Sequence, residues 1–362
     1  MRSTTREILR QIADTLGIEA QKVCEIITAD YRGEIVHPLR KGCNLIVGTD
    51  FPFPGRLISW TTGVGPRPFA EENLERIAEL RKFAEWQADT ANGTVGRLTA
   101  LDRNPTAEDW ATEYFRVQKS RIEYNVESAS TVLNRYLSED LITDEDPNYD
   151  WFGNNILRHN AEWDGKNKGW LGGEPSLRSI IYDKTAERVL KRFRTEEVAG
   201  DELQNMVRLS DGTEVPGNRL LKDESAKRAA VAMKERAADH GVDVSKWEIP
   251  TDKEAITITA TADARRRILQ DAFEQLAQPG ELTPGKWADV AYKLYQSPQT
   301  KAGSDSVIRT FLVGAAEYRM GRVPVFPHDI DLRAYTMNQS DFVKCVVEGT
   351  FERLLLPSGI GV

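Results

Sequence analysis

At 362 residues, with 40% apolar and 29% charged side chains, the chain is long enough to fill one large or two ordinary hydrophobic cores. Its 48 basic and 56 acidic residues leave a formal net charge of -8, which excludes global attraction to nucleic acid or an anionic membrane; any such contact needs a local basic patch. No apolar run approaches the roughly 20 residues of a membrane span, and the opening stretch MRSTTREILRQ lacks the apolar centre of a signal peptide, so a cytoplasmic protein with no membrane partner is expected.

The expected fold class is α+β, helix-dominated, with a long central helix, short strands, a β-hairpin and a long aromatic-rich loop. Three stretches follow from composition: 1–65, 66–196 and 197–362, with a soft boundary near 196–202. Ser3 to Asp30 reads as two short helices joined at Leu16-Gly17-Ile18, opened by a capping box in which Thr4 and Glu7 satisfy each other's backbone N–H. The spacing of Ile12-Ala13, Leu16-Gly17-Ile18, Val23 and Ile26-Ile27 is similar to the core of helix-turn-helix DNA readers. That resemblance implies base contacts from Gln21 and Lys22, while Glu19 and Glu25 on the same helix give phosphate little attraction.

Glu34 to Gly65 breaks into short apolar runs between glycines and prolines, the pattern of short strands and loops. From Pro68 the spacing of Phe69, Leu74, Ile77, Leu80, Phe83 and Trp86 predicts a helix ending at Asn92-Gly93. A second helix opens at the Thr106-x-x-Asp109 cap and runs to about Ser138, roughly 45 Å of helix, with Trp110, Tyr114 and Val117 in its buried stripe.

The stretch from 140 to 175 places Tyr149, Trp151, Phe152, Trp163 and Trp170 among asparagines, glycines and acids. Trp side chains with polar tips suit a protein interface, self-association or a polar pocket, with Arg158 as anion clamp and His159 as proton carrier. Ser176 then caps a helix whose outer face carries Lys184, Arg188, Lys191, Arg192 and Arg194. This is the best local site for phosphate, above all Lys191, Arg192 and Arg194.

Ser210-Asp211-Gly212 between apolar runs predicts a hairpin. Asp223 to His240 predicts an alanine-rich surface helix closed by Gly241. Ile256 to Thr259 reads as a strand, and Thr261 and Thr283-Pro284 cap two further helices.

Near the end, Asp329-Ile330-Asp331 reads as a strand with both carboxylates on one face, an arrangement suited to Mg2+. Together with Phe311-Leu312-Val313-Gly314, this run looks like the signature of polymerase-beta-type nucleotidyltransferases. The resemblance implies metal-dependent nucleotide transfer with Asp329 and Asp331 as ligands, although Ala315 stands where that family has a phosphate-contacting Ser.

Three functional classes emerge. The first is an intracellular binding or assembly protein acting with nucleic acid or protein partners. The others are a metal-dependent nucleotide-transferring enzyme and a self-assembling shell or scaffold subunit. Three widely spaced cysteines, Cys24, Cys43 and Cys345, give no zinc-binding spacing.

Overall fold

The computed structural model describes residues 86–128, 141–153, 162–173, 177–321 and 329–348, apart from positions 88, 168 and 302, together with two short strands nearer the N-terminus. The expected N-terminal helical pair with Gln21 and Lys22, the helix start at Phe69, and Arg158 and His159 lie outside the described residues. The two short strands, β1 (Leu45–Ile46) and β2 (Leu57–Ile58), pair antiparallel with Leu45 opposite Ile58.

Asn92-Gly93 does not end a helix, contrary to the sequence expectation: the segment stays helical through residue 99. Packing explains this. A Cβ on Gly314 would meet the Thr94 Cβ at 3.2 Å and the Ala91 carbonyl at 3.3 Å, so small residues let two helices approach closely. That contact outweighs the roughly 1 kcal/mol propensity cost of a helical glycine.

Helix α1 (Ala107–Ser128) begins at the expected cap. The Thr106 N–H donates to Asp109 Oδ2 at 2.7 Å, and the Asp109 N–H returns to Thr106 Oγ1 at 3.3 Å. Its 22 described residues rise about 33 Å. Trp110 and Tyr114 are buried and meet Phe311 edge-on, with ring centroids 6.0 and 5.3 Å away, so these aromatics are core.

The aromatic stretch 140–175 is not simply a loop. It contributes β3 (Tyr149–Phe152) and a two-stranded ribbon, β4 (Glu162–Asp164) and β5 (Gly169–Leu171), with Trp163 opposite Trp170. Strands of three or four residues are too short for alternation to stand out from the surrounding Asn and Gly.

The predicted hairpin is present and longer than its signal: β6 (Glu202–Arg208) and β7 (Glu214–Leu221). Its turn is closed by Leu209 N–H to Thr213 O at 2.8 Å, and Gly212 adopts a φ of 88°. With β8 (Ala255–Ile258) it completes a four-stranded antiparallel sheet of order β3-β8-β7-β6.

Pro216 sits inside β7 at no cost to the ladder. The Leu209–Thr213 bond sets a phase in which Val215 faces β6 and Pro216 faces the other side, where β8 pairs only from Arg219 onward. A bulge lies between Gln204 and Met206 in this register. Beside it, Gly217 lies so close to the Gln296 amide, Val207 and the Asn205 carbonyl that a Cβ has no room.

Helix α2 (Leu177–Thr195) packs Tyr182 on Phe152 of β3, ring centroids 6.0 Å apart. Helix α3 (Asp223–Asp239) is not a free surface helix. Its Ala226, Ala229 and Ala230 bury against Leu221, Ile256 and Ile258 on one face of the sheet. Alanine is small enough to bring the helix backbone down onto the β-branched side chains, a stripe that charged neighbours disguise in the sequence.

Helices α4 (Ala262–Ala277) and α5 (Pro284–Gln296) start at the expected caps, Thr261 accepting from the Ala264 N–H and Thr283 from the Lys286 N–H. Gly303 and Gly321, both left-handed, bound α6 (Ser304–Met320). Two short helices follow, α7 (Ile330–Thr336) and α8 (Gln339–Val346), the second capped by Asn338 accepting from the Asp341 N–H.

One hydrophobic cluster runs from Ala91 to Val346 and draws on both sides of 196–202. The architecture is therefore α+β and helix-dominated, with a small antiparallel sheet. No described helix is long and apolar enough to cross a membrane.

Candidate functional site

Asp329 and Asp331 do not share a strand face. Asp329 precedes α7 and Asp331 lies in its first turn. An acid-aliphatic-acid triplet is compatible with either period, and arginines of α2, α6 and α7 itself decide between them. Arg333 Nε lies 2.7 Å from Asp329 Oδ1, and Arg188 approaches the other oxygen at 3.4 Å. Asp331 is fully buried, with Oδ1 3.9 Å from the equally buried Arg309. Arg309 Nε in turn donates to Asp305 at 2.8 Å, and the Tyr295 hydroxyl donates to the same carboxylate at 3.0 Å. Burial, with the Asp305 charge beside it, pushes the Tyr295 hydroxyl well above its ordinary range, so it stays a donor.

These ion pairs join α2, α6 and α7, and the Tyr295 hydrogen bond adds α5. Among the described residues no group of three or more His, Cys, Asp or Glu side chains is placed to hold a metal ion. The donor set expected for Mg2+ at Asp329 and Asp331 is thus engaged with guanidinium groups.

The expected basic face of α2 is divided in the same way. Arg188 turns inward to Asp329 and Thr336. Arg192 reaches Glu196 Oε1 at 2.6 Å, Asn205 Oδ1 at 2.7 Å and the Thr336 carbonyl at 2.9 Å. Positions four apart share a helix face, and here that face meets α7 and the sheet rather than solvent. Lys191 and Arg194 are exposed, while Lys184 pairs with Glu187.

The three expected binding tryptophans cluster with two glutamates. Trp163 and Trp170 meet edge to face with centroids 5.6 Å apart, and the Trp170 main-chain N–H donates to Glu248 Oε1 at 2.5 Å. The Trp151 indole donates to Glu254 Oε2 at 2.9 Å. Burial pushes the Glu254 carboxyl up to about 7, with nearby Glu248 adding to the rise and the Trp151 and Thr251 hydrogen bonds opposing it.

This shift fixes a pH response. The folded chain holds the Glu254 proton up to about pH 7, whereas an unfolded Glu releases it near 4.5. The resulting stabilisation is complete below the lower value and lost as pH rises through the upper one. Urea unfolding at pH 5 and pH 8 is expected to show a loss on the order of 3 kcal/mol that Glu254→Gln abolishes. A pH dependence unchanged by that substitution would contradict it.

A polar cleft of about 800 Å3 lies between β6, the end of α2, α5 and the start of α8. Its floor is Lys293, 1% exposed, with Nζ 2.6 Å from both Asp271 Oδ2 and Asp289 Oδ2 and donating to Gln275 at 3.0 Å. Asp271 also accepts from the Ser210 N–H at 2.9 Å, tying the floor to the hairpin turn. On the far wall the Gln339 amide accepts from the Arg208 N–H at 2.6 Å. It donates to the Arg208 carbonyl at 3.0 Å and to Asp289 at 2.6 Å.

Behind β6, a buried amide network anchors this wall. Asn205 donates to Asn218 Oδ1 at 2.8 Å, both donate to the Tyr335 carbonyl, and Gln296 accepts from the Asn218 N–H at 2.8 Å. Together these bonds tie β6 to β7 and the paired strands to α5 and α7.

Of the cleft residues only Arg192 was singled out by the sequence as a binding candidate. Asp289 and Lys293 on α5, and Arg192 and Glu196 at the end of α2, each four apart, carry a local signal. Chemically, a lysine held by two carboxylates and an amide is a fixed donor rather than a free nucleophile. The cleft is equipped to recognise hydrogen-bonding groups. Compared with known proteins, the chain matches no family and no curated sequence.

Proposed function

We propose that this chain is a binding protein that receives a segment of a protein partner in the cleft between β6 and α8. The observation that supports this most is the state of the ionisable groups there. Lys293 is saturated by Asp271 and Asp289, and Arg192 by Glu196, Asn205 and a carbonyl, which leaves positioned hydrogen-bonding groups; the Ser210 hydroxyl meets Asp271 at 3.2 Å, but that carboxylate is already held by Lys293. A nucleic-acid partner draws less support, because Arg188 and Arg192 of the basic helix are engaged internally. Nucleotide transfer draws less still, since Asp329 and Asp331 are paired with arginines.

The test selects displayed random linear peptides on the immobilised protein and measures the recovered peptides by fluorescence anisotropy. Ser340→Trp, an exposed position on the cleft wall, is expected to weaken their binding at least tenfold. Peptides that bind the variant equally well would place the interaction elsewhere. A rise in the unfolding midpoint with Mg2+-nucleotide or an oligonucleotide, and none with peptide, would overturn the reading.

A further inference from the structure

We infer that the partner segment binds as an extended, acidic strand added to the free edge of β6. This inference rests on the cleft reading above. Among the described residues β6 ends the sheet order, so one of its edges has no strand neighbour there. The Leu209–Thr213 hydrogen bond sets the phase of the hairpin. Val207 and Leu209 turn their main-chain groups toward β7, and Arg208 and Met206 turn theirs toward the cleft.

At Arg208 this outward direction is directly visible. Its N–H and carbonyl are taken at 2.6 and 3.0 Å by the side-chain amide of Gln339. A carboxamide that accepts from one N–H and donates to the carbonyl of the same residue does what a peptide group of a neighbouring strand would do. Gln339 therefore supplies the first rung of a ladder that no strand among the described residues continues.

The next rung in phase is Met206, roughly 7 Å along the edge. Met206 is 41% exposed and lines the cleft, where its flexible side chain can pack against a guest. The charges favour an acidic guest. Arg208 and Lys286 line the cleft and make no ion pair among the described residues, against one such carboxylate, Glu214. The other lining cations, Arg192 and Lys293, are already paired. Carboxylates on alternate residues of an added strand would fall on the side of Arg208 and Lys286, with main-chain bonds made at Met206.

The probes are a fluorescein-labelled octapeptide alternating Glu and Val, its analogue N-methylated at every residue, and a Lys-Val counterpart. Fluorescence anisotropy is expected to show binding of the Glu-Val peptide, with at least tenfold weakening on N-methylation. Similar weakening is expected for the Lys-Val peptide and for the protein carrying Arg208→Glu with Lys286→Glu. Met206→Pro, which removes an outward N–H at a strand edge that tolerates proline, should also weaken binding at least tenfold.

Equal binding of the N-methylated peptide would overturn edge pairing whether or not the proline variant folds. Failure of the Glu-Val peptide to bind would likewise overturn it. In either case the cleft reading itself stands if the selected peptides remain sensitive to Ser340→Trp, and falls with it if they do not.

Discussion

Replacing Arg309 with methionine is expected to lower the free energy of unfolding by about 3–5 kcal/mol, measured by urea denaturation. Arg309 has no exposed surface, and neither does Asp331, whose oxygen lies 3.9 Å away. Methionine matches much of the volume, so little of the loss comes from a cavity. It comes from leaving charge behind: Asp331 loses a guanidinium in surroundings that cannot rehydrate it, and Asp305 loses two short bonds at 2.8 and 3.0 Å. Adding Asp331→Asn to the methionine variant removes one of those charges and should recover part of the loss. The double-mutant cycle then measures the coupling directly. A single variant within about 0.5 kcal/mol of the parent, the range of ordinary surface changes, would show that these side chains do not depend on each other.

Lys293→Met is expected to cost about 3 kcal/mol, the lower end of the same range. The two carboxylates it abandons are better provided for than Asp331. Asp271 keeps the Ser210 N–H and hydroxyl, and Asp289 keeps the Gln339 amide and is partly exposed. Asp271→Asn in the methionine background should restore stability, since the amide still accepts from Ser210 without a charge to bury. If Lys293→Met instead raised the thermal midpoint, burial of the lysine would be costing more than its partners return, as happens for some buried ion pairs.

Local chemistry was legible in the sequence. The caps at Thr106, Thr261 and Thr283 need only residues within one turn, and Ser210-Asp211-Gly212 announces its hairpin within three. What depends on partners from elsewhere in the chain was not legible. Asp329-Ile330-Asp331 satisfies a strand period as well as a helix start, and the choice is made by Arg188, Arg309 and Arg333. Arg192 looked like a phosphate contact because its acceptors, Asn205 and the Thr336 carbonyl, are invisible to a pattern read along one helix. The alanines of α3 carried too little hydrophobicity to mark a buried face, although they cover Ile256 and Ile258. The cleft was the hardest feature to see, because its hairpin and its separate helices each bring only a few side chains, and along the sequence only pairs four residues apart, such as Asp289–Lys293 and Arg192–Glu196, stand out.

The sheet also imposes an order in time. Its β6–β7 half closes through a turn at 210–212, a local event on the microsecond scale of hairpins. Strand β3 joins the other side only by pairing with β8, where Asn148 meets Thr259 across 111 residues of sequence. That distant pairing carries a larger loop-closure entropy and cannot be rewarded until β8 is in place. During synthesis, the tryptophan-bearing strand must therefore wait for more than a hundred further residues before it has a neighbour to pair with.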